Sequence, residues 1–106
     1  MENQHRKIAG YRELSQEEID LMNRIKAKGA ELLQLQAELA GRINTDHEVK
    51  LSAAKAVGLE KTGADECVEL RRFQAAEPGR WASIGKTDIQ TGLMAMVRAV
   101  AQPAGV

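Results

Sequence analysis

Two prolines bracket the most constrained stretch of the chain. After Pro78-Gly79 and up to Pro103 runs RWASIGKTDIQTGLMAMVRAVAQP, Arg80 to Pro103, with glycine as the only helix-weakening residue inside it. Ala82, Gly85, Ile89, Gly92, Met96 and Ala99 recur every three or four residues, which places them on one face of a helix. That face is mostly small and predicts that another helix approaches closely. A second face carries Trp81, Ile84, Leu93, Val97 and Val100. One partner helix cannot cover both faces, so the stretch predicts several packing partners.

The chain upstream is patterned to supply the first of them. Ser15-Gln16-Glu17-Glu18 reads as a capping box, with Ser15 as the N-cap and Glu18 at the third helical position; its acidic first turn suits the positive end of a helix dipole. Met22, Ile25, Gly29, Leu32, Gln36, Leu39 and Ile43 then alternate by threes and fours, a heptad-like seam interrupted at Gly29 and Gln36. Leu21, Leu33 and Leu35 widen the apolar surface. At Asn44-Thr45-Asp46 two readings stay open: Thr45 and Glu48 form a second capping box after a bend, or the helix runs on to about Ala56. Gly58 and Gly63 bracket a charged, Ala-rich tip, where changes of length cost little. A second helix begins near Ala64 or Asp65, with Cys67, Leu70 and Phe73 toward the first and Val68 at the apolar edge. Pro78 predicts a kink in it and not a reversal, because the apolar pattern resumes at once.

The expected fold is all-α. It is a kinked antiparallel helical hairpin with a short N-terminal helical arm, assembling as a helical oligomer. The expected spans are an arm over 1–14, a first long helix over 15–57, a tip over 58–63 and a second long helix over 64–102, kinked near Pro78. The arm's Ile8, Tyr11 and Leu14 form one sticky edge that needs another surface. A hairpin of this kind exposes apolar surface that it cannot bury within itself, which predicts an oligomer built from two-fold dimers.

Composition narrows the function classes. At 106 residues, the chain is at most one domain. Its 15 Lys and Arg balance 15 Asp and Glu, against a general DNA or RNA binder, which needs a basic surplus; the balance leaves room for a local basic pocket. Tyr11, Phe73 and Trp81 are the only aromatic residues, so the core is built from Leu, Ile, Met, Val and Ala. Cys67 is the only cysteine, which precludes an intrachain disulfide and fits a reducing compartment. No apolar run approaches the roughly 20 residues of a membrane span, and the polar N-terminus lacks a signal-peptide core. These features predict a soluble cytoplasmic protein without membrane partners.

Catalytic chemistry finds little support. His5 lies in the arm and His47 near the charged bend, while Cys67 has no Cys or His near it in sequence; a metal site needs several ligands in geometry, and neither a metal nor a cofactor is expected. Ser15 is accounted for as a cap, and Ser83 has no evident base. Gly85-Lys86-Thr87 resembles the end of a phosphate-binding loop, but position 80 is Arg where that motif needs Gly, and no strand precedes it. Binding residues are easier to find. Tyr11, in GYREL beside Arg12, either anchors the arm to a helix or offers a stacking platform for a base. Lys26, among Met22 and Ile25, is either a surface lysine or a phosphate contact. Arg80, just past the kink, is a further phosphate candidate. Lys28, Lys86 and Arg98 are weaker phosphate candidates, each read more readily as solvated.

The segments RELSQEEIDLMNRIKAKGAELL and RWASIGKTDIQTGLMAMVRAVAQP together resemble the phage anti-CBASS cyclic-nucleotide sponge family, with the resemblance covering residues 5–43 and 77–104. CBASS is a bacterial defence that signals infection with cyclic oligonucleotides. The resemblance implies a protein that sequesters these messengers in the host cytoplasm without cleaving them, so that the host effector is never switched on. It implies hexamers, trimers of dimers, of kinked helical hairpins with the arm docked on a neighbour. Tyr11 and Lys26 match the family's cyclic-dinucleotide contacts, base stacking and phosphate binding respectively. Arg80 matches a contact to cyclic trinucleotides at a separate site, near which Lys28 would lie. Symmetry agrees with this: a two-fold dimer presents Tyr11 twice and Lys26 twice to a ligand with two bases and two phosphates. Two rival classes remain: a helical-bundle adaptor for a protein partner, and a small phosphodiesterase for the same messengers.

Overall fold

The computed structural model describes residues 12–104. Among them every regular element is helical: α1 spans Gln16–Val57, α2 Asp65–Ala76 and α3 Pro78–Ala101. The fold is the all-α hairpin type expected from the sequence, with its second limb bent. No helix among the described residues is long and apolar enough to cross a membrane.

Residues 12–15 precede α1 without helical structure, and the helix starts at a complete capping box. The Glu18 backbone N–H donates to Ser15 Oγ (3.2 Å), and the Ser15 N–H donates to the Glu18 carboxylate (2.9 Å). Two otherwise orphaned donors are thereby satisfied. α1 then continues unbroken through Asn44–Asp46 to Val57, so the reading with a second capping box at Thr45 is not the one adopted.

The bend in the second limb is a one-residue break. Glu77 takes a left-handed conformation, φ 50 and ψ 51, and caps α2 through its N–H to the Gln74 carbonyl. Its own carbonyl accepts from the Trp81 N–H at 3.2 Å, so one residue closes α2 and opens α3. Pro78 is the first residue of α3, where a missing N–H costs no hydrogen bond and the fixed φ suits the helix. α3 ends in the same way: Gln102 has φ 49, its N–H reaches the Arg98 carbonyl at 2.8 Å, and Pro103 prevents continuation.

The chain divides into two compact units, Met1–Leu33 with Thr87–Val106, and Gln34–Lys86. In the second unit, Ala54, Cys67 and Leu70 form a small buried cluster with Leu51 and Ala64 packed against it. Phe73 stacks on His47 with ring centroids 6.0 Å apart, and Lys50 lies 5.6 Å from the Phe73 ring centre. Lys50 also pairs with Glu69 at 3.0 Å, which Arg72 holds bidentately at 2.7 Å. These pairings run antiparallel, 47 with 73 and 50 with 69, and they continue to Gln36, whose side-chain amide donates to the Ala82 carbonyl at 2.9 Å. The tip is closed by Cys67 Sγ–H to the Gly58 carbonyl (3.4 Å) and by Arg71 to the Thr62 carbonyl (2.6 Å). Gly58, at φ 118, adopts a backbone conformation that side chains disfavour.

In the first unit, the early part of α1 packs antiparallel on the late part of α3. The close approach differs from the one the sequence suggested. Nothing lies within 4 Å of a Cβ built on Gly85 or Gly92 of α3, whereas one built on Gly29 of α1 would stand 2.9 Å from Leu93 Cγ, with both Cδ atoms nearer still. The small residue that admits its neighbour is therefore on α1. The covered residues of α3 also cross from one expected face to the other: Ala82, Gly85 and Ile89, then Leu93, Val97, Val100 and Ala101, are buried or half-buried, while Gly92, Met96 and Ala99 are exposed. At about 3.6 residues per turn, a line of strict three–four steps drifts around a straight helix, so neither list of residues alone is the contact face.

Candidate functional site

The first unit carries an open groove of about 910 Å³, within the size range of small-molecule sites. Ile19, Met22 and Lys26 line it from α1, at spacings of three and four that share one helix face. Thr91, Met94, Ala95, Arg98 and Ala101 line it from α3 on the same principle, and Leu93 and Val97 line it as well. Arg12, Leu14 and Pro103 close one end. The walls are apolar, and among the described lining residues the charged groups are all cationic: Arg12, Lys26 and Arg98, with no Asp or Glu.

The three cations are differently engaged. The Arg12 guanidinium forms a two-pronged ion pair with Glu18 and donates to the Val100 carbonyl at 2.9 Å. It thus ties the chain before α1 both to the α1 capping box and to the last turn of α3. The pair raises the Arg12 pKa above its ordinary value, and it holds Glu18 at about 2, through hydrogen bonds first from Arg12 and then from the Ser15 backbone. Lys26 and Arg98, by contrast, form no ion pair and no side-chain hydrogen bond with any described residue.

Of the residues singled out from the sequence, Lys26 lines the groove. Tyr11 lies outside the described residues; Arg12, the residue bonded to it, is in the groove lining. Lys28 is not in that lining; it is solvated and paired with Glu31 at 3.4 Å. Arg80 belongs to the second unit, where it pairs with Glu77 at 3.8 Å and lies 5.2 Å from the Trp81 ring centre. Arg98, only a weaker phosphate candidate in the sequence, is exposed and lines the groove as well. A signal for it was available: Met94 and Arg98 repeat, four residues apart, the spacing of Met22 and Lys26, and all four residues line the groove.

The model of the Acb2/Tad1 hairpin domain matches residues 4–101. The chain belongs to the Acb2/Tad1 hairpin family. A curated relative, anti-CBASS protein 2 of Pseudomonas phage JBD67, is 72% identical over 107 residues, covering 99% of each chain. The family match spans both compact units and both limbs that line the groove. Among the described residues, no group of His, Cys, Asp and Glu is arranged to hold a metal ion.

Proposed function

We propose that this Acb2/Tad1 hairpin protein is an anti-CBASS factor that binds and sequesters cyclic oligonucleotide messengers without cleaving them, so that the host effectors are not activated. The observation that carries this reading is the groove itself. Its apolar walls suit the faces of bases, and its described lining residues combine cations with no carboxylate, which suits phosphate. The high identity to a phage anti-CBASS protein supports the same reading.

In this reading, Lys26 meets a phosphate of a cyclic dinucleotide such as cyclic GMP-AMP, and Tyr11, next to Arg12 in the chain, stacks on a base. The protein works as a homo-oligomer in the host cytoplasm, built from dimers and most simply a hexamer, so that paired copies present two tyrosines and two lysines to a two-fold ligand. The thin core supports assembly: among the described residues the buried apolar ones are Ala54, Cys67, Leu70, Ala82 and Ala101, while Leu35, Trp81 and Met94 are at least half exposed. In the same reading Arg80 serves cyclic trinucleotides at a separate site, to which Lys28, in the other compact unit, is assigned by the family resemblance alone.

The test is to incubate the purified protein with a panel of cyclic oligonucleotides, isolate the complex, denature it and identify what is released. Intact ligand is expected. Cleaved product would favour a phosphodiesterase, and an empty protein after every incubation would favour an adaptor for a protein partner.

A further inference from the structure

We infer that Arg98 is a second phosphate-binding residue of the groove, so that a single subunit supplies a cation from each wall. This rests on the cyclic-oligonucleotide reading above and adds to it a contact from α3. Lys26 and Arg98 both line the groove. With Leu93 seated over Gly29, the antiparallel register puts position 24 opposite Arg98. Lys26 is therefore offset from Arg98 along the groove by only about two residues, or ~3 Å of helical rise. This places two like charges, both exposed to solvent, at almost the same level of an open groove, and no acidic side chain among the described lining residues offsets them.

The third cation does not relieve this arrangement, because Arg12 is already held by Glu18 and the Val100 carbonyl. An anionic ligand does relieve it. The guanidinium suits the task better than an ammonium would, since its planar fork donates two parallel hydrogen bonds to a phosphate. The groove would thus grip one phosphate from α1 and another oxygen group from α3, and symmetry would multiply this pair in place of Lys26 alone.

The experiment is calorimetric titration of cyclic GMP-AMP into the full-length protein and its Arg98→Gln and Arg98→Lys variants, with the melting temperature and oligomer mass of each recorded. Glutamine keeps most of the stem that covers the apolar wall and removes the charge. The expected result is a loss of affinity of about tenfold or more in Arg98→Gln, partly recovered in Arg98→Lys, at unchanged mass and melting temperature. Wild-type binding that persists within twofold in Arg98→Gln would overturn the role of Arg98 and leave the sponge reading intact. A wild-type protein that binds no member of the cyclic-oligonucleotide panel would overturn both.

Discussion

Leu93 of α3 lies directly over Gly29 of α1, so that a Cβ at Gly29 would stand 2.9 Å from the Leu93 branch carbon and closer still to its two methyl groups. Rotating the isopropyl end cannot relieve a clash that includes the branch point; the whole side chain or the helix must move. Gly29→Ala therefore sets a helix-propensity gain of about 1 kcal/mol against an overpacking cost of about 1–3 kcal/mol. The expected net change is destabilising by roughly 1 kcal/mol, a drop of several degrees in melting temperature. The added substitution Leu93→Ala should then cost less in the Gly29→Ala background than in the wild type. A rise in melting temperature for Gly29→Ala alone would show that Leu93 yields freely.

Acid should weaken the fold through two glutamates. Glu18, held by Arg12 and the Ser15 backbone, and Glu69, held by Arg72 and Lys50, both lie near a pKa of about 2 against an ordinary 4.5. The folded form binds fewer protons than the unfolded form between those values. Their contribution is therefore complete above about pH 4.5 and is lost as pH falls toward 2. Both groups are solvated, so salt should shrink the effect. Urea midpoints measured from pH 6 to pH 2 should fall less steeply in a Glu18→Gln, Glu69→Gln double variant than in the wild type; parallel profiles would contradict the assignment.

Much of this was legible in the chain because the deciding forces are local. Ser15 and Glu18 lie within one turn of each other, so the capping box follows from spacing alone, and Cys67 and Leu70 were placed toward α1 by the same reasoning. What spacing could not supply was the register between two limbs distant in sequence. Spacing therefore points to the small face of α3 for the close approach, which the structure makes at Gly29 of α1, and it leaves Arg98 a weaker phosphate candidate because Lys26, which lines the same groove, lies far away in the chain. The bend in the second limb follows from Pro78, but its form as a one-residue break does not, because nothing in the residues before Pro78 marks Glu77 as a left-handed position.

That left-handed position offers a stabilising substitution. Glu77 has φ 50, a conformation that costs a residue with a Cβ about 1–2 kcal/mol and glycine little. Glu77→Gly also removes an ion pair to Arg80 whose side chains are 58% and 55% exposed, and such a pair contributes little. The greater freedom of glycine in the unfolded chain takes back part of the gain. The expected result is a stability increase of roughly 0.5–1 kcal/mol, read as a higher urea midpoint. A decrease would mean that the Glu77 side chain holds the bend by a contact more important than its conformation.

The lysines of α1 provide the sharpest separation between the site and its surroundings. Lys26 lines the groove and has no ion-pair partner among the described residues, whereas Lys28, two residues on, is paired with Glu31 and outside the lining. Two residues along a helix turn the side chain by about 200°, so the two ammonium groups point to nearly opposite sides. On the proposed reading, Lys26→Ala should weaken cyclic GMP-AMP binding by about tenfold or more, the loss of one charge-assisted hydrogen bond, while Lys28→Ala and Arg80→Ala stay within twofold of wild type for that ligand. If Arg80 and Lys28 serve cyclic trinucleotides, the same two variants should lose affinity for a cyclic trinucleotide while Lys26→Ala keeps it. Both tests are read by calorimetric titration on material of wild-type mass and melting temperature. Equal losses in all three variants for one ligand would point to diffuse electrostatic attraction in place of two defined sites.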